Sequence, residues 1–162
     1  LLASVTVLVG LTGASTEAKA GIVTVGSPLT QSFTEGVSCI RACTLAPSML
    51  PGATATSPVD GIIVRWRMVG GSDVAMYRLR VLRHGNGLEY TGAGTSAAAR
   101  PAGSGIETFS TALPVRAGDS IGVDIEPEAP VGAREAAGSQ YLMFLPPPFE
   151  GAPATGVVSP LP

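Results

Sequence analysis

Ile62-Ile63-Val64-Arg65-Trp66-Arg67-Met68-Val69, followed by Gly70-Gly71-Ser72-Asp73 and then Val74 to Leu82, is the stretch whose reading decides the fold. Residues two apart in a strand point the same way. Simple alternation puts Ile62, Val64, Trp66 and Met68 on an apolar face and Ile63, Arg65, Arg67 and Val69 on the other, with Trp66 in the core. In the second run Tyr77, Leu79 and Val81 alternate with Arg78 and Arg80. Two such runs around a Gly-Gly turn predict an antiparallel hairpin with four arginines on one face.

Outward from this pair the pattern repeats at intervals of about ten residues, the rhythm of an all-β domain. Leu88–Thr91, Ile106–Ser110, Ser120–Ile125 and Gln140–Leu145 read as strands, and Ile22–Val25, Leu29–Phe33, Cys43–Leu45 and Ala53–Ser57 as further candidates. Helical periodicity is nearly absent. The expectation is an all-β fold, a single two-sheet β-sandwich, jelly-roll-like, of about 8–10 short antiparallel strands over residues 21–145. Residues 146–162 hold six of the fourteen prolines and read as a Pro-rich tail or linker.

Composition agrees. The chain has 162 residues, 45% hydrophobic and 14% charged, with 21 Gly and 14 Pro, which excludes a coiled coil, a helix bundle and a charge-rich disordered chain. Its mean hydropathy of +0.36 is raised by one segment. Leu1 to Leu11 has eight apolar positions of eleven and no charge, and a small polar stretch after it closes on Ala18-Lys19-Ala20. That is too short to span a bilayer, and its A-x-A end suits a signal peptidase, so residues 1–20 read as a signal peptide cleaved before Gly21. The remaining 142 residues carry nine Arg, no Lys and eleven Asp plus Glu, a balance with no overall field for nucleic acid or an anionic membrane. Cys39 and Cys43, in an exported chain, are expected to form one disulfide; they lack the C-x-x-C spacing of a redox pair and are too few for a zinc site.

Several segments together resemble a known group: Thr24 to Thr30 (T-V-G-S-P-L-T), the Cys-x3-Cys loop with Thr44-Leu45, Leu50 to Ala53 (L-P-G-A), Ser57 to Arg67, Tyr77 to Arg83, Tyr90 to Ser96, Phe109 to Val115 and Ala117 to Asp124. The chain resembles uncharacterised secreted or surface β-sandwich proteins of high-GC Gram-positive bacteria, over about Thr24 to Phe144. The resemblance implies an exported β domain and no particular activity.

The most unusual surface feature is the basic ladder of Arg65, Arg67, Arg78 and Arg80, with Arg83 just beyond. Like charges facing one another across strands are unfavourable unless compensated. Either acids interleave, Glu107 and Asp124 being the nearest, or the face meets an anionic ligand, for which the planar guanidinium suits bidentate contacts. Asp119, Asp124, Glu126 and Glu128 supply oxygens that calcium would accept, but the D-x-D-x-D-G spacing is missing and Pro127 interrupts the run, so no metal site is expected. His84, in His84-Gly85-Asn86-Gly87, is the only base for a Ser-His-Asp hydrolase, and no G-x-S-x-G elbow accompanies it. For sugar stacking, phase leaves Tyr90, Tyr141, Phe144 and Phe149 as rings available to solvent.

These readings point to an exported, non-enzymatic β-sandwich module with a structural or adhesive role at the cell surface or in the medium. A carbohydrate-binding module is the alternative, and a hydrolase the third reading. No cofactor is expected. The partners implied are a cell-wall or extracellular polysaccharide or another surface protein, with no nucleic acid and no stable membrane insertion.

Overall fold

A computed structural model describes residues 3–8, 21–30, 35–70, 74–103, 105–133 and 136–160. In chain order the strands are β1 (Ala3–Leu8), β2 (Ile22–Gly26), β3 (Glu35–Val37), β4 (Cys43–Met49), β5 (Gly61–Val69), β6 (Tyr77–His84), β7 (Glu89–Thr95), β8 (Ile106–Val115), β9 (Ser120–Ile125), β10 (Val131–Ala133), β11 (Gln140–Phe144), β12 (Pro153–Thr155) and β13 (Val157–Pro160). They form a four-stranded sheet in the order β2-β1-β5-β8, a pair β10-β3, and a seven-stranded sheet in the order β12-β7-β6-β9-β4-β11-β13. No helix among the described residues is long and apolar enough to cross a membrane.

The all-β class is as expected, but the two-sheet jelly-roll is corrected. Among the described residues there are three sheets, and the largest is a nearly closed barrel. Its edge strands β12 and β13 are separated in sequence only by Gly156, so one continuous segment joins the two edges. The reason lies on the face of this sheet turned away from the four-stranded one. Ala46, Leu82, Leu142 and Phe144 form an apolar cluster there, with Tyr90 and Ala154 packed around it. An apolar face of that size must be covered. The Pro-rich end supplies the cover: Phe149 carbonyl accepts from Gly92 N at 3.2 Å, and Gly156 lies so close to Phe144 that a Cβ there would meet ring atoms at 2.9–3.0 Å. Where composition predicts an extended end, the chain contributes two strands.

The four-stranded sheet covers the opposite face. Val5, Val25, Ile63, Trp66 and Met68 from it meet Leu45, Tyr77, Leu79, Val81, Ile121, Val123 and Ile125 from the large sheet in the main core. Trp66 packs on Phe109 at 4.8 Å between ring centroids. The Tyr77 hydroxyl donates to Pro130 carbonyl at 2.6 Å, which satisfies the buried polar end of that ring.

Two sequence expectations about the central stretch are corrected. β5 and β6 do not pair: β5 lies between β1 and β8, and β6 between β7 and β9, so the chain crosses from one sheet to the other. Both runs bring large apolar residues on one face, and those faces meet across the core, Ile63, Trp66 and Met68 of β5 sharing one cluster with Tyr77, Leu79 and Val81 of β6. The phase of β5 also breaks. Ile63 is fully buried while Ile62 and Val64 are 47% and 37% exposed. In the pairing with β1, Thr6 faces Arg65 and Val7 faces Ile63, so Val64 is the extra residue of a β-bulge and the alternation slips by one there. Trp66 and Met68 beyond the bulge are buried as expected.

β1 falls within the segment read as a leader. In the structure it pairs with β2 on one side and β5 on the other, with Val5 opposite both Val25 and Trp66. Residues 9–20, with the A-x-A sequence, lie outside the described residues, as do 31–33 of the candidate strand Leu29–Phe33. Ala53–Ser57 contributes a single bridge, Thr56 to Ser120, rather than a strand.

Candidate functional site

Because β5 and β6 belong to different sheets, the four arginines of the expected ladder divide into two pairs on opposite sides of the molecule. Arg78 and Arg80 lie on the outward face of β6, and Asp124 of β9 stands opposite Arg78 in register. Arg80 Nη2 is 2.6 Å from Asp124 Oδ2, and its Nε also contacts the carboxylate. The Thr44 hydroxyl donates to the other oxygen, Oδ1, at 2.6 Å, and Arg80 Nη1 donates to Pro148 carbonyl at 2.7 Å. Arg80 and Asp124 are therefore bound within the protein, whereas Arg78 beside them is exposed. Asp124 is the interleaving acid that the sequence names; Glu107 is not, for its Oε1 accepts from Ala102 N and Gly103 N.

Arg83 is held by Asp119, through Nε at 3.0 Å and Nη2 at 2.9 Å. The hydrogen bond to Asp119 holds the Arg83 pKa above its ordinary value. Asp119 also accepts from Arg116 N at the turn into β9, a local bond of the kind that Asp makes in turns. Neither partnership has a local signature, since the residues are 36 and 44 positions apart.

Arg65 and Arg67 differ. They project from the outward face of the four-stranded sheet, where Arg65 Nε donates to Thr6 Oγ1 and Arg67 Nη2 to Ser4 Oγ, both at 3.3 Å. On the other side they stand opposite Ser110 and Thr108 of β8. Among the described residues neither forms an ion pair. The result is a face of hydroxyls and exposed Ile62 and Val64 around the exposed Arg65 and the half-buried Arg67, each guanidinium with donors to spare.

Arg78 is exposed and lines a cleft of about 380 Å³ with Met76, Arg80, Thr95, Asp124 and Glu126. Glu126 Oε2 accepts from Met76 N at 3.1 Å. Of the calcium candidates, Asp119 and Asp124 are thus engaged by arginines, and Glu128 sits in a turn at φ 61°. Among the described residues no three His, Cys, Asp or Glu side chains converge to hold a metal. His84 is exposed, with Nε2 2.9 Å from Gly87 carbonyl and its ring edge-on to Tyr90. Tyr141 and Phe144 are buried, Tyr90 packs edge-on against Phe144, and Phe149 is 72% exposed. Cys39 and Cys43 are joined as a disulfide.

These features define a class no finer than an all-β domain with a closed polar cluster on one side and an open cationic face on the other. No family model, curated protein or solved structure matches the chain.

Proposed function

We propose that the chain is an exported, non-enzymatic module that works by contact, holding an anionic cell-wall or extracellular polysaccharide, bearing phosphate or carboxylate groups, on the Arg65/Arg67 face. The observation that carries this is the contrast between arginines: Arg80 and Arg83 are saturated by carboxylates, whereas Arg65 and Arg67 meet only hydroxyls among the described residues. Residues two apart on a strand lie about 6.5 Å from each other, so the two guanidiniums present a short row of positive charge to a chain of repeating anions. The burial of Tyr141 and Phe144 leaves few rings for stacking, which favours charge over aromatic recognition.

Export is supported by the disulfide and by the leader-like residues 1–20. Mass spectrometry of the N-terminus after expression in a Gram-positive host tests it. A start at Gly21 means that β1 is removed and that Arg65 and Arg67 lose Thr6 and Ser4 as partners. No protein in the medium or on the wall refutes export.

Binding is tested by retention on immobilised polyphosphate and polygalacturonate against neutral dextran. The expected result is salt-sensitive retention on a polyanion, none on dextran, and loss in Arg65→Ser/Arg67→Ser but not in Arg78→Ser. Phosphate or carboxylate preference between the two columns identifies the anion. Retention unchanged in the double variant, or none on either polyanion, overturns the reading.

A further inference from the structure

One end of the large sheet gathers the ends of five neighbouring strands. β7, β9 and β11 finish there, at Thr95, Ile125 and Phe144, and β6 and β4 begin there, at Tyr77 and Cys43. Thr95, Glu126, Pro147, Met76 and Ala42, each at or just beyond one of these ends, line the cleft of about 380 Å³. That volume is in the range of small-molecule sites, and the mouth of a barrel is one of the places where such sites form.

The floor of the cleft is built before any ligand arrives. Leu82, Arg80 and Arg78 are two apart along β6 and share one face. Leu82 belongs to the apolar cluster with Phe144, and Arg80, bound to Asp124, forms a polar layer next to it with the Thr44 hydroxyl and the Pro148 carbonyl. Arg78 comes next, in the cleft itself. The walls are braced as well. Ala42 lies in the loop closed by Cys39 and Cys43, and the Cys39 carbonyl accepts from Glu128 N at 2.7 Å, which ties that loop to the turn after Glu126. Pro147 is held through its neighbour Pro148, whose carbonyl accepts from Arg80.

Two opposite charges in this cleft are left over. Arg78 stands opposite Asp124 in register, but that carboxylate is taken by Arg80 and Thr44, and Arg78 forms no ion pair among the described residues. Two residues further along, Met76 N donates to Glu126 Oε2 at 3.1 Å. This bond holds the Glu126 carboxylate toward Met76, and Oε1 is not engaged among the described residues. Arg78 and Glu126 are then diagonal neighbours across the strands, about 7–8 Å apart at that spacing, and face one space without closing on each other. The four charged side chains of the lining, Arg78, Arg80, Asp124 and Glu126, sum to zero. A ligand of one sign meets repulsion there, whereas a ligand carrying both signs finds a partner for each.

We propose that the cleft binds a zwitterion, a free α-amino acid with an apolar side chain. Its carboxylate accepts from the Arg78 guanidinium in the bidentate manner that suits this pair. Its ammonium donates to Glu126 Oε1, and its side chain lies against Ala42, Met76 and Pro147. The site belongs to a different sheet from the Arg65/Arg67 face and does not depend on what that face holds.

Titration of the isotope-labelled full chain with L-leucine, followed by two-dimensional amide NMR, is the test. The expected result is saturable shifts confined to the amides around Met76, Arg78 and Glu126. Isocaproate, which lacks the ammonium, and isopentylamine, which lacks the carboxylate, are each expected to bind about tenfold more weakly or worse, since each gives up a charge-assisted contact. Arg78→Gln is expected to weaken leucine by a similar factor and to spare isopentylamine, and Glu126→Gln to weaken leucine and to spare isocaproate. Both side chains are exposed, and a glutamine at position 126 still accepts from Met76 N, so both variants fold, as an unchanged spectrum away from the cleft checks. No saturable shift with leucine, isocaproate or isopentylamine binding as tightly as leucine, or leucine binding equally to R78Q and the native chain, overturns the site. Polyphosphate shifting the same amides at lower concentration than leucine assigns the cleft to anions and overturns it too. Loss of polyanion retention in Arg65→Ser/Arg67→Ser with leucine binding intact shows two separate sites, as proposed.

Discussion

Arg80 and Asp124 face each other from neighbouring strands of the large sheet with their charges 2.6 Å apart and their side chains only 11% and 10% exposed. The pair sits in the middle of the sheet, between β6 and β9, and its remaining valences go to Thr44 and the Pro148 carbonyl. Arg80 thereby ties β6, β9 and the C-terminal segment together.

Breaking that pair from one side strands a charge in a site that water barely reaches. Asp124→Ala is expected to cost about 3–5 kcal/mol in urea unfolding, because Arg80 is left uncompensated. Replacing both, as Arg80→Met/Asp124→Leu, is expected to cost clearly less than the single change. If the single and double variants lose the same stability, the pair is not acting as a buried unit.

The bulge at Val64 reverses what plain alternation predicts for two adjacent residues. Ile63→Ala is expected to destabilise by about 2–5 kcal/mol through a core cavity. Val64→Ser, on the outward face, is expected to stay within about 0.5 kcal/mol. Thermal and urea unfolding of the two variants decide the phase, and the opposite ranking refutes the bulge.

The C-terminal segment is part of the fold and not an appendage. Gly156→Ala brings a methyl group against the Phe144 ring and the Leu142 side chain, which is expected to cost about 1–3 kcal/mol by overpacking. Ending the chain at Leu145 removes β12 and β13 and uncovers Leu82, Leu142 and Phe144, so binding of a hydrophobic dye is expected to rise in the shortened protein. Unchanged stability and dye binding would show that the segment covers nothing.

Tyr90 supplies a pH handle. Burial pushes its hydroxyl above the ordinary value of 10.0, with a bond to Ser120 opposing the shift. A raised value means that the folded state keeps its proton longer than the unfolded one. The stabilising contribution is therefore intact below about pH 10 and is lost as pH rises from there through the folded value. Tyr90→Phe is expected to flatten that part of the stability curve measured by urea unfolding at successive pH values; the same slope in both proteins would contradict the assignment.

By itself the sequence determined the all-β class, the positions of most central strands, the burial of Trp66, Tyr77, Leu79 and Val81, and the Cys39–Cys43 link. These follow from short-range signals: alternation, turn residues between runs, and two cysteines four apart. It did not determine which strands pair. The Gly-Gly stretch looks like a hairpin turn from either side, yet the two runs belong to different sheets, and their apolar faces meet across the core. Nor did it determine the phase before Trp66, since a bulge exists only relative to a partner strand. The pairing of Arg83 with Asp119 was likewise invisible, while Arg80 with Asp124 was named only as one of two options. The tertiary structure alone turned a proline-rich end into the cover of Phe144 and split four arginines between two sheets, with Arg80 alone of the four held in an ion pair among the described residues. The physical reason is common to all of these: local preference sets what a segment is, but the area it buries and the charges it meets depend on segments far away in the chain.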